Sequence, residues 1–288
     1  MTAPAAVAAP AAVTAPPGRA GLPFLRMAAF VRRDWRIARS YRLQFVLDLA
    51  TIPATLGMFF FLARLVDESN FSADADLSQG YFAYAAVGLV VLRMVQTALT
   101  SFSTKLRAEQ MSGTFEALLS SPVSPSVVVL GSALFDLLRA TIGGLATLAV
   151  ASLFGLRLNL TLESVVGLVI GLPALLVSFA ALGVVVAAFA AVFKQVTALL
   201  TLIIGALGLF SGAYFPTHLL PGPLRVVSEG LPFTWGIDVL RGVLLRGELE
   251  RGRLGLLVGF AVVALPVSLW MFRVAVDRAR QRATLTQF

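Results

Sequence analysis

Four charged residues interrupt long apolar runs and are the first candidates for chemistry: Asp48, Arg93, Asp136 and Arg139. Charged side chains inside membrane-length apolar segments pair with one another or mark a polar route. An intramembrane aspartyl protease would need two facing aspartates, and Asp48 with Asp136 is the pair these runs offer. The simpler interpretation is an ion pair of Arg93 with Asp136 or Asp48. A polar lining for a substrate or a gate is the alternative.

The sequence contains no signature of catalysis or nucleotide binding. It has no cysteine and one histidine, so neither a thiolate nor a histidine-based metal site is expected. H-E-x-x-H and G-x-S-x-G are absent, and so is the G-x-x-x-x-G-K-[ST] loop that cradles ATP phosphates. The two lysines, Lys105 and Lys194, do not follow a Gly-rich turn. We therefore predict no catalytic residue, no metal and no cofactor in this chain.

The composition indicates an integral membrane protein. Of 288 residues, 58% are hydrophobic and 13% are charged, whereas an average soluble domain has about 25% charged residues. Several apolar runs reach the roughly 20 residues that a helix needs to cross the hydrocarbon core. The net charge of +8 does not predict nucleic-acid binding, because the basic residues flank apolar runs. Anionic lipid and cytoplasmic orientation explain them better.

The length of the apolar runs predicts an all-α fold with six transmembrane helices, over about 43–65, 81–103, 127–154, 165–193, 196–214 and 254–272. Together they form a transmembrane domain over 43–274. The Ala/Pro-rich residues 1–23 are expected to be a disordered tail, and 275–288 a cytoplasmic tail. Residues 24–42 predict an amphipathic interfacial helix with a basic arc and an apolar arc. Its main residues are Arg32, Arg33, Trp35, Arg36 and Arg39. A solvated helix that merely precedes the first span is the alternative.

Charge bias orients these spans. Seven arginines precede the first span, whereas the loop 66–79 has four acids and no basic residue. The positive-inside rule therefore predicts a cytoplasmic N-terminus, and six spans return the C-terminus to the same side. The segment 215–253 should then be outside, although it contains five arginines. Its prolines predict two half-helices that re-enter the outer leaflet.

The polar island 109–125 lies between the second and third predicted spans, on the cytoplasmic side. Ser112 and Gly113 interrupt the preceding helix, Glu116 suits the first turn of a short helix, and Pro122 ends it. Phe115, Leu118 and Leu119 would give that helix an apolar face. A plain connecting loop is the alternative. The pattern E-x-x-x-G-T-x-E-x-L-x-x-S-P is carried by Glu109, Gly113, Thr114, Glu116, Leu118, Ser121 and Pro122.

This pattern resembles the cytoplasmic segment of permease subunits of the type-2 ABC exporter family, which includes antibiotic-resistance permeases of the daunorubicin type and carriers of polysaccharides and lipids. A second pattern, S-G-x-x-F-P-x-x-x-L-P, is similar to the same family's region after the fifth span. It is carried by Ser211, Gly212, Phe215, Pro216, Leu220 and Pro221, followed by Pro232, Asp238 and Arg241. Phe115 departs from the family, where leucine is common.

The resemblance implies a permease in the bacterial cell membrane that exports an amphiphile, such as a drug, a lipid or a lipid-linked glycan. Two permease subunits, identical or paired with a sister, would bind two copies of a separate ATPase, which would hold ATP and Mg²⁺. The island would act as a coupling helix, and 215–253 as an outer gate. The alternatives are a secondary carrier driven by an ion gradient and a membrane scaffold or enzyme.

Overall fold

The structure is a computed structural model that describes residues 32, 35–36, 42–66, 79–111, 125–192 and 197–281. Every regular element in these ranges is helical. The long helices are α1 (Arg42–Ala63), α2 (Gly80–Met111), α3 (Pro125–Leu153), α4 (Leu162–Val192) and α5 (Thr197–Phe210). After a 3-10 turn (Thr217–Leu219) come the short helices α6 (Gly222–Glu229) and α7 (Pro232–Arg241), a π turn (Gly242–Arg246) and α8 (Arg251–Gln281).

The helices confirm an all-α membrane protein. Four of the described helices contain segments long and apolar enough to cross a bilayer: Gly80–Ser101, Leu134–Leu153, Leu162–Ala190 and Arg251–Arg278. The first and fifth predicted spans coincide with shorter apolar stretches, Ala50–Ala63 and Ala198–Phe210. The multi-pass architecture is therefore established, while the count of six spans stays a prediction.

Helix α2 is the centre of the bundle. About 72% of its apolar segment is buried, against 22% for that of α8. Helices α3 and α4 pack on α2, and α8 packs along α4. The remaining faces of α3 and α8 expose large apolar side chains, including Ile142, Leu145, Val262 and Trp270. Such faces suit contact with lipid or with another membrane subunit, because both are apolar.

Small residues bring the helices close together. A Cβ added to Gly236 of α7 would lie 2.2 Å from Cδ1 of Leu175 on α4. One added to Gly167 of α4 would lie 2.4 Å from Cγ1 of Val243. Missing side chains at these positions allow the close approach of helices that is typical of membrane proteins.

Two helices extend beyond their predicted spans. Helix α2 continues to Met111 rather than 103, and α8 continues to Gln281 rather than 272. The added residues are mainly Ala, Leu, Lys, Arg, Glu and Gln, which favour helix without being apolar. Helix α5 ends earlier than predicted, at Phe210, because Gly212 adopts a φ of 74° that a right-handed helix cannot continue.

The N-terminal interfacial helix is described at three positions only. Residues 32, 35 and 36 are helical, and their side chains are exposed. The Trp35 ring meets Phe135 of α3 edge-on, with ring centroids 6.3 Å apart. Arg33 and Arg39 lie outside the described residues.

Candidate functional site

The segment after α5 forms the two predicted short helices. Pro221 precedes α6, and Pro232 is the first residue of α7, where its missing N–H group costs nothing. Phe215 is half-buried, and Pro216 is buried just before the 3-10 turn. Helix α7 is mostly buried, whereas α6 is largely exposed. The two half-helices therefore form as expected, and we call α6 and α7 the short-helix pair.

Arg241, at the end of α7, is the main attachment of this pair to the bundle. Its side chain is 2% exposed. The guanidinium carbon lies 3.3 Å from the centroid of the Tyr84 ring on α2. Nη2 donates to the carbonyl oxygens of Tyr84 at 3.1 Å, Gly212 at 2.9 Å and Ala213 at 3.2 Å. A single planar donor thus joins α7, α2 and the chain just after α5.

Several carbonyl groups lie around Arg241 because helix α5 ends beside it. Helix α5 ends at Phe210, where carbonyl groups lose their intrahelical partners. A cation near such a C-terminus is favourable because the carbonyl dipoles point towards it. The Tyr84 hydroxyl also donates to the Gly212 carbonyl oxygen, at 2.9 Å. The Ser211 hydroxyl is buried with no hydrogen-bond partner among the described residues.

Helix α2 and the chain after α5 also touch at the backbone level. An ideal Cβ on Gly88 would lie 2.1 Å from the Ala213 carbonyl oxygen. Because this is far inside van der Waals contact, only glycine fits at position 88. Sequence reasoning missed both Tyr84 and Gly88. For Gly88 the available signal was the glycine itself, which lies within the apolar run of the predicted second span.

Helix α6 is held at its C-terminal end. The Ser228 hydroxyl donates to the Phe210 carbonyl oxygen, which ties α6 to the last residue of α5. Thr234 of α7 donates to the Ser228 carbonyl oxygen at 2.6 Å. Trp235 Nε1 donates to the Glu229 carbonyl oxygen at 2.7 Å. The two short helices are therefore joined to each other and to α5.

A third attachment comes from the loop between α3 and α4, which sequence reasoning did not associate with the short-helix pair. Asn159 Nδ2 donates to the Leu245 carbonyl oxygen at 2.8 Å, and Thr161 Oγ1 to the Gly247 carbonyl oxygen at 2.7 Å. Ser164 Oγ donates to the Val243 carbonyl oxygen at 2.6 Å. These donors satisfy carbonyl groups that the π turn leaves without helical partners.

The five arginines of this segment have local partners. Arg225 Nε contacts Glu229 at 2.6 Å, and Arg253 Nε contacts Asp238 at 3.5 Å. The hydrogen bond from Arg225 lowers the pKa of the Glu229 carboxyl. Each of these positive charges is therefore compensated locally by an acid or by carbonyl groups. The remaining contacts are Arg246 with Glu250, Arg251 with Glu163 and Arg241 with the carbonyls described above.

The charged residues within the apolar runs do not form the expected ion pair between Arg93 and Asp136. Asp136 of α3 accepts a hydrogen bond from Ser101 Oγ of α2 at 2.5 Å. Ser101 is eight residues beyond Arg93, about 12 Å along the helix. The expected Arg93–Asp136 ion pair is therefore wrong, because Asp136 meets α2 two turns away. Arg139 is half-buried on α3. Asp48 lies in α1, and its side chain is outside the described part of the chain.

Arg93 instead lines a cavity of about 350 Å³ between α1, α2, α3 and the chain after α5. Within the described residues, its guanidinium has no hydrogen bond or ion pair. Gln96 and Tyr214 also line the cavity, together with leucine and isoleucine side chains of α1 and α2. The alternative expectation of a polar lining fits this placement.

The predicted coupling segment falls mostly outside the described residues. Glu109 lies in the last turn of α2, and α3 begins at Pro125. The other predicted coupling residues, Gly113, Thr114, Phe115, Glu116, Leu118, Leu119 and Pro122, lie outside the described residues. The coupling helix therefore stays a prediction. Among the residues that the structure describes, no group of acids, histidines or cysteines could hold a metal ion.

Comparison with known proteins identifies the family. Residues 27–245 match the family described as ABC-2 type transporter. The chain is 30% identical to nodulation protein J of Rhizobium meliloti (strain 1021) over 202 residues, 67% of this chain and 74% of that protein. It is 24% identical over 251 residues to nodulation protein J of Bradyrhizobium diazoefficiens, 84% of this chain and 90% of that protein. The chain belongs to the ABC-2 type transporter family and is an ABC transporter permease.

Proposed function

We propose that this permease exports an amphiphile across a bacterial cell membrane, powered by a separate ATPase. The sequence has no phosphate-binding loop of its own, so the ATP hydrolysis in this proposal takes place on another chain. Two permease subunits with two ATPase subunits is the arrangement that the family resemblance implies. The polar island 109–125 is the proposed docking segment for the ATPase.

The observation that carries this proposal is the continuity of α2. This helix has 32 residues, about 48 Å at 1.5 Å per residue, which exceeds the roughly 30 Å of the hydrocarbon core. Its C-terminal end leads into the island. Its other half contacts Arg241 through Tyr84 and the chain after α5 through Gly88. A displacement of the island would therefore reach the short-helix pair through one helix.

Side-chain and backbone contacts make this transmission direct. Arg241 ties α7 to Tyr84, and Ser228 ties α6 to the end of α5. Packed contacts of this kind shift as units rather than deform continuously. We infer that the short-helix pair is the outer gate and that α2 links it to ATP hydrolysis.

The surface chemistry supports an amphiphilic substrate. The described bundle exposes mainly apolar side chains along α3 and α8, and the cavity beside Arg93 combines one cation with apolar walls. An amphiphile, with a polar head and an apolar body, suits such surroundings better than a fully hydrated solute. Export of drugs, and antibiotic resistance with it, stays one prediction within this class.

The experiment is reconstitution with the ATPase. The permease is co-expressed with a candidate Walker-type ATPase from the same genome, purified as a complex and placed in liposomes. We expect vanadate-sensitive ATP hydrolysis and ATP-dependent movement of a fluorescent amphiphile. Transport that persists without ATP and follows an imposed proton or sodium gradient would contradict the proposal and favour a secondary carrier.

A further inference from the structure

The Arg93 cavity has the size of a ligand site. Its volume of about 350 Å³ corresponds to roughly twelve liquid water molecules at about 30 Å³ each. Sites for small molecules begin near this size, at about 300 Å³. The cavity is partly open, and Thr55 of α1, one of its lining residues, is exposed. A group outside the helix bundle can therefore reach it.

The position of Arg93 favours a partner of negative charge. It lies inside the apolar segment Gly80–Ser101, eight residues from the nearer end, or about 12 Å. Arginines near helix ends can extend their side chains to the interface, but those deep inside a segment pair with another group. No carboxylate among the described residues contacts Arg93. The partner must then come from outside the described residues.

The other polar residues of the cavity extend this donor site. Gln96 lies three residues after Arg93, on the same face of α2, and its side chain also lines the cavity. Tyr214 lines it from the chain after α5, with its ring stacked on Phe59 at 5.9 Å between centroids. A guanidinium with an amide and a hydroxyl beside it offers several donors to one oxyanion. Arginine suits phosphate well, because its planar fork makes two parallel hydrogen bonds.

The walls of the cavity suit the rest of an amphiphile. The apolar lining residues are Ile52 and Leu56 of α1 and Leu89 and Leu92 of α2. We propose that the cavity binds the phosphate-bearing headgroup of an anionic lipid, with Arg93 as the charged donor and Gln96 as a neutral donor. The apolar walls contact the glycerol and the first methylenes of the lipid. Such binding places an anionic lipid against α2 and goes beyond the proposed export function.

The test measures lipid binding to the full-length permease in detergent by native mass spectrometry. The probes are phosphatidylglycerol, phosphatidylcholine of the same chain length, and inorganic phosphate. We expect phosphatidylglycerol to bind at least about tenfold more tightly than phosphatidylcholine, because the choline cation offsets the phosphate charge of phosphatidylcholine and is repelled by Arg93. Arg93→Gln should abolish the difference, and Arg93→Lys should retain part of it.

The control variant is Arg157→Gln. Arg157 is exposed in the loop before α4, so this change removes the same charge far from the cavity and should leave lipid preference unchanged. Size-exclusion chromatography checks that each variant is folded. Arg93→Lys keeps the test informative if Arg93→Gln fails to fold. The experiment measures lipid binding and neither ATP hydrolysis nor transport. A negative result would therefore contradict the lipid site without contradicting the proposed export function.

Three results would overturn the proposal. The first is equal binding of the two lipids to the unchanged protein, or an unchanged preference in Arg93→Gln. The second is binding of inorganic phosphate with no binding of phosphatidylglycerol, which would assign the site to a free anion. The third concerns Asp48, the acid of α1. If phosphatidylglycerol binds only after Asp48→Asn, an internal carboxylate neutralises Arg93 and the cavity is not a lipid site.

Discussion

The guanidinium of Arg241 donates to the carbonyl oxygen of Gly212 at 2.9 Å, although the two residues are separated by the whole short-helix pair. Gly212 reaches this position through a left-handed φ of 74°, which turns the chain after α5 back towards α2. Both residues belong to the second family-like pattern. Their contact gives that pattern a physical meaning: it closes the loop of chain that holds α6 and α7.

Loss of the Arg241 guanidinium should destabilise the permease. Arg241→Gln removes the guanidinium donor from the Ala213 carbonyl oxygen and one of the donors to Gly212, and a buried group left without a donor costs about 1–3 kcal/mol. We expect a fall of several degrees in the apparent melting temperature, or loss of folded protein. Arg241→Lys should be intermediate, because it retains the charge but loses the planar fork and the stacking on Tyr84. Fluorescence-detected size exclusion after heating measures both.

The matched control is Arg225→Gln, which removes an arginine from the neighbouring helix. Arg225 pairs with Glu229 on the exposed side of α6, and exposed pairs contribute little to stability. The melting temperature should therefore hardly change. Equal losses for Arg225→Gln and Arg241→Gln would contradict the central role of the Arg241 contacts.

Gly88→Ala should be severely disruptive although it adds one carbon. The new Cβ would lie 2.1 Å from the Ala213 carbonyl oxygen, and backbone cannot yield as a flexible side chain can. We expect a marked fall in folded yield. Gly143→Ala in α3 is the control, because nothing lies within 4 Å of its added Cβ. If both variants fold equally well, the close approach of α2 to residue 213 is wrong.

Apolar length predicted the helices well but could not predict their contacts. A run of about 20 apolar residues is visible in any sequence, whereas the polar ends of α2 and α8 carry no such signal. The Arg93–Asp136 pair was inferred from similar depth in the bilayer. Depth does not fix how two helices are offset, and Ser101 meets Asp136 instead. The roles of Tyr84 and Gly88 were missed because even a visible glycine does not show which distant segment it contacts.

Acid should weaken the contact between Arg225 and Glu229. The pKa of Glu229 is lowered in the folded protein, so its stabilisation is complete above about pH 5, beyond the ordinary carboxyl pKa of roughly 4.3. It is lost as the pH falls through the lowered folded value. Melting curves of the unchanged protein and Glu229→Gln should differ slightly at neutral pH and converge in acid. A gap that widens in acid would contradict the assigned pairing.

Substitutions in the polar island test whether ATP hydrolysis by the partner ATPase is coupled to transport through this segment. Phe115, Leu118 and Leu119 are spaced to form one face of the predicted coupling helix. Leu119→Asp places a charge on that face, and Glu116→Lys reverses the charge in its first turn. We expect each variant to reach the membrane at normal levels while transport falls at least about tenfold and the ATPase loses its response to substrate.

The control is Ala117→Asp, which adds the same charge on the opposite face of the predicted helix, about 160° from Leu119 at 100° per residue. Transport by this variant should stay close to normal, because the docking face is unchanged. Since Glu109 lies in the last turn of α2, where the island begins, uncoupling confined to Leu119→Asp and Glu116→Lys would link α2 to the ATPase. Normal transport by all three variants would show that the island is a plain connecting loop.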